Sequence, residues 1–175
     1  IVGTNSSNAS LAATYVVYGS SVAQNLSLTS GTIAASQGFR VLTTTTGTHY
    51  GSAVSNAGDI NGDGLADLIV SAPFSSPSTG TNAGRSYVVF GRTSSVAINA
   101  SSVISGTGGF VINGVSAYDN SGFSVSSAGD VNGDGFDDLI VGASGDDPNG
   151  SSSGASFVVF GGNFSGAVTT VAVCP

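Results

Sequence analysis

Short apolar runs separated by Gly, Ser and Asn recur along the chain. Two of these runs, Leu68-Ile69-Val70 and Leu139-Ile140-Val141, are continuous rather than alternating with polar residues. Continuous apolar runs of this length are typical of strands that are covered on both faces. The pattern therefore predicts a buried β-strand at each place, bounded by polar turns.

The pattern is repeated at a fixed period. Residues 52–70 match residues 123–141, an offset of 71 residues. Residues 87–91 recur as residues 157–161, and an earlier copy stands at residues 15–19, with no acidic loop before it. A period of this kind predicts a repeat architecture rather than one irregular domain.

Each repeat reads as four short strands, which is the strand count of a propeller blade. In the middle repeat we expect strands at residues 51–57, 67–71, 86–90 and 109–113. Residues 94–105 allow either a helical turn or an irregular excursion. The predicted repeats are residues 1–48 (the last strands of one blade), residues 49–119, and residues 120–175 (C-terminally incomplete).

The predicted fold class is therefore all-β, with four-stranded antiparallel blades of the β-propeller type. About two and a half repeats are incomplete as a closed ring, because propellers need about four to eight blades. The chain is then either an excerpt of a longer propeller, or copies of it complete each other's sheets in an oligomer or filament.

The composition supports strands over helices, since Lys, Glu, Met and Trp are absent while Val, Ile, Thr, Phe and Tyr remain. All ten acidic residues are Asp, and seven of them fall in two short clusters. Clustered carboxylates repel one another unless a cation lies among them, which favours metal sites. With three Arg and a net charge of −7, nucleic acid and anionic membrane are not expected partners.

The two clusters have the same spacing of oxygen-bearing residues. The first loop runs from Asp59 to Asp67 and the second from Asp130 to Asp138. Calcium prefers six to eight oxygen ligands, and a tight loop can direct alternate side chains toward the ion. The sequence thus predicts two Ca²⁺ sites. The candidate ligands are Asp59, Asn61, Asp63, Asp67 and the Leu65 carbonyl in the first, and Asp130, Asn132, Asp134, Asp138 and the Phe136 carbonyl in the second.

The loops allow two other interpretations, an EF-hand and a polar turn without metal. An EF-hand would need a Glu at position 12, where Val70 and Val141 stand, and a helix rather than a strand after the loop. A polar hairpin turn without metal remains the alternative, although two copies with the same spacing argue against it. Asp137 falls outside the ligand positions and is expected to be solvated.

These residues resemble the FG-GAP repeats of integrin α-subunit β-propellers and of related bacterial and cyanobacterial surface proteins. The resemblance rests on Tyr50-Gly51, the Asp-x-Asn-x-Asp-Gly-x-x-Asp loops, residues 68–73 and the closing Tyr-Val-Val-Phe-Gly. The second copy departs at residues 121–123 and 142–144 but keeps every proposed ligand. The resemblance implies that calcium lies in a hairpin loop on the rim of each blade, with a mainly structural role.

No residue pattern indicates catalysis, so we expect a chain that is not an enzyme. The single His49 precedes a strand, and its counterpart in the next repeat is Asn120, which favours a turn role. Cys174 is either a tether or a free thiol. Paired aromatic residues are expected in the core rather than on a ligand platform; they are Tyr15, Tyr18, Tyr87, Phe90, Phe157 and Phe160.

The expected function is that of an extracellular or cell-surface adhesion or interaction module with an unidentified protein or glycan ligand. A self-assembling subunit of an extracellular filament or sheath is the first alternative, and a glycan-binding propeller is the second. No apolar run reaches membrane-spanning length. Possible glycosylation sequons, which matter only for a eukaryotic source, begin at Asn5, Asn8, Asn25, Asn99, Asn149 and Asn163.

Overall fold

The computed structural model describes residues 2–3, 12–21, 33–151, 153–164 and 171–172. These residues form short strands and one short helix. In chain order they are β1 Val2–Gly3, β2 Ala12–Val17, β3 Gly38–Thr43, β4 Val54–Gly58, β5 Asp67–Ala72, β6 Arg85–Val89, β7 Ile98–Asn99, α1 Ala100–Ile104, β8 Gly109–Asn113, β9 Ser121–Gly129, β10 Asp138–Ala143, β11 Ala155–Val159 and β12 Val171–Ala172.

The strands form three sheets that follow one another along the chain. The first sheet has the order β1-β2-β3-β7, the middle sheet β12-β8-β6-β5-β4, and the last sheet β11-β10-β9. Most neighbouring strands are antiparallel, including both hairpins β4–β5 and β9–β10. The all-β class and the incomplete blade arrangement are therefore confirmed.

The four strands expected in the middle repeat are all present, with ends that shift by at most three residues at β4 and fewer elsewhere. The helical turn allowed within residues 94–105 is present as α1. Two short parallel pairings were not predicted. β7 adds to β3 of the first sheet, and β12 adds in the same way to β8 of the middle sheet. In both repeats, the segment that follows the third strand thus pairs with a strand of the preceding sheet.

One apolar core lies between the first and middle sheets. Phe39 and Val41 of β3 face Val70 of β5 and Val89 of β6, and all four are buried. The helix α1 adds Val103 to this cluster. The core therefore joins two consecutive repeats through the faces of their sheets.

A second core lies between the middle and last sheets. Ile69 and Val88 project from the opposite face of the middle sheet and meet Leu139 and Val141 of β10 and Val159 of β11. The middle sheet is therefore covered on both faces, which confirms the prediction made from the run Leu68-Ile69-Val70.

The outer face of the last sheet differs from that expectation. Ile140 is 39% exposed, Val158 47% and Phe160 56%. Their counterparts in the middle repeat are Ile69 and Val88, which are fully buried, and Phe90, which is partly buried. The prediction of a strand covered on both faces is wrong for β10 in the described residues, because no further sheet packs on it. Phe160 is also not the core residue that was expected.

Candidate metal centres

The first loop connects the antiparallel strands β4 and β5, as the sequence predicted. Gly62 has φ +73° and Gly64 has φ +84°, in the left-handed region that glycine adopts at low cost. These two residues allow a nine-residue segment to turn back on itself within a hairpin. The strand that follows the loop confirms that it is not an EF-hand.

Oxygens of the first loop are held by the loop's own amides. The Asp59 carboxylate accepts the N–H groups of Asp63 (3.0 Å) and Gly64 (2.9 Å). Asn61 Oδ1 accepts the Asp63 N–H (3.0 Å), and Asp63 Oδ1 accepts the Leu65 N–H (2.9 Å). Positions 1, 3 and 5 of the loop are thereby brought together on one side of the turn.

Asp67 closes the loop from the first residue of β5 and is fully buried. Its Oδ2 accepts the Ile60 N–H (3.0 Å), and its Oδ1 accepts the Gly91 N–H (2.6 Å). Burial raises the pKa of Asp67 to about 6, the two amides oppose that shift, and the charges of Asp63 and Asp59 add to it. Three carboxylates therefore lie within electrostatic range of one another.

The second loop repeats these bonds and adds one, from the Gly133 N–H to Asp130 Oδ1 (2.7 Å). Its bonds are Gly135 N–H to Asp130 Oδ2 (2.9 Å), Asp134 N–H to Asp130 Oδ1 (3.1 Å) and Asn132 Oδ1 (3.0 Å), and Phe136 N–H to Asp134 Oδ1 (2.9 Å). Asp138 is also fully buried and accepts the N–H groups of Val131 and Gly161, both at 2.8 Å. Two segments that lie 71 residues apart in the sequence thus have the same conformation.

The donor chemistry and the loop conformation fit a hard cation. Every proposed side-chain ligand is an oxygen donor, and a carboxylate oxygen that accepts one amide keeps a second lone pair. The mutual repulsion felt at Asp67 is the kind that a divalent ion relieves. In the described conformation, no three His, Cys, Asp or Glu side chains are placed so that they alone could hold a metal ion. An ion would therefore also need Asn61 and the carbonyl at position 7, which stay predictions, as do their equivalents in the second loop.

Asp137 is not the solvated residue that was expected. Its Oδ2 accepts the N–H of Asp59 (2.8 Å), and its own N–H donates to the Asp59 carbonyl (3.2 Å). Next to it, the Phe136 ring lies so close to Gly62 that a Cβ there would come within 2.5 Å of it. The second loop thus packs directly on the first. Sequence analysis missed this contact because its partners are 78 residues apart.

The remaining residues of interest lie outside the two loops. His49 has φ +53°, as does its counterpart Asn120, which supports the turn role. Asp119 accepts the Ser116 N–H (2.9 Å), and burial raises the pKa of its carboxyl group. Cys174 lies outside the described residues, as do the sequons at Asn5, Asn8 and Asn25. The other three sequon asparagines, which are exposed, are Asn99, Asn149 and Asn163.

The family model described as FG-GAP repeat matches residues 50–89 and 121–171, and these segments together cover just over half of the 175 residues. Mouse integrin alpha-IIb is 35% identical over 100 residues, which cover 55% of this chain and 8% of that protein. This chain therefore corresponds to a small part of that relative's length. Within the described ranges, no helix is long and apolar enough to span a membrane.

Proposed function

The chain belongs to the FG-GAP repeat family, and from that premise we propose that it is a calcium-stabilised adhesion or interaction module that acts outside the cell. In this proposal each acidic loop holds one Ca²⁺, and other surfaces of the stacked sheets bind an extracellular protein or glycan. The similarity to an integrin α-subunit supports both the extracellular setting and a binding rather than a catalytic role.

The observation that carries the proposal is that the two loops have the same conformation. Oxygens of Asp59, Asn61 and Asp63 are bonded within one turn, and a fully buried Asp67 closes it. A polar turn without metal does not require a buried carboxylate at its end, because burying a charge is costly unless it is compensated. A bound cation would supply positive charge among these carboxylates and fix the turn on which the hairpin depends.

Calcium titration tests the proposal directly. We expect calorimetry to give two sites on the intact chain, one site after Asp63→Ala or Asp134→Ala, and none after both changes. Asp147→Asn, which removes one negative charge outside both loops, is the matched control and should keep two sites. If chelation changed neither the thermal unfolding nor the circular dichroism of the intact chain, the proposal would be wrong.

A second candidate function is self-assembly through the last sheet, as in a filament or sheath. It is supported by the exposed outer face that carries Ile140, Val158 and Phe160, since contiguous exposed apolar residues often mark interaction sites. β11 is also an edge strand in the described part of the chain, whereas its counterpart β6 pairs with β8. The proposed occupant is the same face of a second copy; this symmetric contact closes as a dimer, and extension to a filament needs a second contact between dimers.

Sedimentation in calcium separates this candidate from the first. Self-assembly predicts a concentration-dependent dimer or larger species that Ile140→Asp disrupts. Ser126→Asp, on the neighbouring position of β9, tests whether the whole face is involved. A monodisperse monomer across the accessible concentration range would rule out the assembly role and would leave the calcium proposal untouched.

A further inference from the structure

A pocket of about 490 Å³ opens beside the first loop, where the chain leaves β6 and runs to β7 and α1. Its apolar walls include Leu65, Phe90 and Ile98. Its polar walls consist of Arg92 and several hydroxyl and amide side chains. This volume lies within the range of about 300–1,000 Å³ that is usual for small-ligand sites.

Arg92 is the unusual member of this lining. Its Nε is buried and has no hydrogen-bond partner among the described residues. The guanidinium carbon lies 5.8 Å from the centre of the Phe39 ring, within the range of a cation–π contact. In contrast, the Arg85 Nε donates to Asn113 Oδ1 at 2.6 Å. Arg92 as a whole is only half-buried and lines the pocket, so its guanidinium group can pair there with an acceptor that the described residues do not supply.

The pocket contains no acidic side chain that could be this acceptor. None of the ten Asp residues of the chain is among the described residues that line it. The other polar side chains of the pocket, such as Asn99, Ser102 and Thr107, can also donate hydrogen bonds to an acceptor group of a ligand. The site therefore offers one positive charge and several neutral donors beside an apolar wall.

We propose that this pocket binds a carboxylate group carried on an apolar body, as at the C-terminus of a peptide that ends in an apolar residue. Arginine presents its N–H groups in a planar fork that matches a carboxylate. The walls formed by Leu65, Phe90 and Ile98 favour an aliphatic or aromatic neighbour over a strongly hydrated one. The net charge of −7 disfavours polyanions, which leaves a single carboxylate as the best match.

The pocket shares its wall with the first loop. Leu65 stands at position 7 of the loop, and the Gly91 N–H donates to Asp67. A Cβ on Gly91 would come within 2.6 Å of the Leu65 Cβ, so the two segments are in tight contact. The inference therefore deepens the proposed function and rests on it: an ion in the first loop orders one side of the ligand site.

The test uses N-acetyl-alanyl-phenylalanine, which has a free carboxylate, and its C-terminal amide, with binding followed by NMR titration of the intact chain in calcium. We expect the acid to bind and the amide to bind at least about tenfold more weakly, since the lost pair is charge-assisted. Arg92→Gln should weaken acid binding by a similar factor, and Arg92→Lys should weaken it less. Arg40→Gln removes the same charge from β3 and should leave binding unchanged.

Three results would overturn the inference: equal binding of acid and amide, unchanged binding by Arg92→Gln, or preferential binding of glucuronate, which would indicate a glycan site. Circular dichroism of each variant separates loss of the site from loss of the fold. If the acid failed to bind while titration still showed an ion in the first loop, only the pocket would be wrong. If neither loop took calcium, the proposed function would fail, whatever the acid did.

Discussion

The stacking of the three sheets makes a sharp prediction at two positions that are equivalent in the repeats. Ile69 and Ile140 occupy the same place in β5 and β10, but Ile69 is fully buried under the last sheet and Ile140 is 39% exposed. Replacing either residue by Ala removes the same atoms. A difference between the two variants therefore reports the covering sheet and not the side chain.

The expected magnitudes follow from these exposures. Truncating a fully buried Ile removes about three methylene equivalents at about 0.8 kcal/mol each, and a cavity term brings the loss for Ile69→Ala to about 3–4 kcal/mol. At Ile140 only the buried part of the side chain counts and solvent fills the space. We therefore expect about 1–1.5 kcal/mol there.

Urea unfolding in calcium measures both losses. The chain has no Trp, so its five Tyr supply the fluorescence signal, with circular dichroism as a second probe. The denaturant slope should be the same for both variants, so that the shift in midpoint reports stability alone. Val88→Ala and Val158→Ala form an independent pair with the same exposure contrast. Equal losses within each pair, measured at low protein concentration, would refute the stacking order.

Three further predictions concern the loops. In urea unfolding, Gly62→Ala should destabilise the chain by about 1–2 kcal/mol more than Gly133→Ala. Both glycines have positive φ, but only Gly62 lies against the Phe136 ring. Equal losses would contradict the contact between the two loops. Asp137→Ala should cost about 1 kcal/mol in the same assay, through the lost bond to the Asp59 N–H, and no loss would show that the bond is not formed. In chelator, stability should rise as the pH falls from about 7 toward 4, because a pKa of about 6 means that folded Asp67 holds its proton more tightly than the unfolded chain does. The gain is at most about 3 kcal/mol, complete below pH 3.8 and lost above about 6, and Asp67→Asn should abolish it.

Local features of the fold were predictable from the sequence because the same residue pattern occurs in two repeats. Both hairpins, the loop conformations and the strand positions depend on contacts within about 20 residues of chain. Glycines at positions 4 and 6 and the buried Asp67 and Asp138 fix that conformation in each copy. Contacts with distant parts of the chain therefore change these hairpins and loop conformations little.

The remaining features depend on neighbours that the local pattern does not contain. Ile140 has the same apolar surroundings in sequence as Ile69, and only the presence or absence of a covering sheet distinguishes them. Strands β7 and β12 are two residues long and pair with sheets formed much earlier in the chain. The Arg92 pocket has no repeated counterpart, because Gly162 follows the matching Phe-Gly pair. A lone Arg in a connection gives no signal before the walls around it are known.

Position 8 of the loops shows how the repeats are adapted to their neighbours. Asp137 in the second loop reaches back to the backbone of the first, and the Gly162 N–H adds a bond to the Ile60 carbonyl (2.9 Å). The first loop has Ala66 at the same position, which has no carboxylate to make such a bond. The second loop thus serves two purposes: its odd positions are suited to an ion, and its eighth residue joins it to the first loop. Calcium in the second loop should consequently stabilise the first, because ordering Phe136 and Asp137 also orders the residues on which they pack.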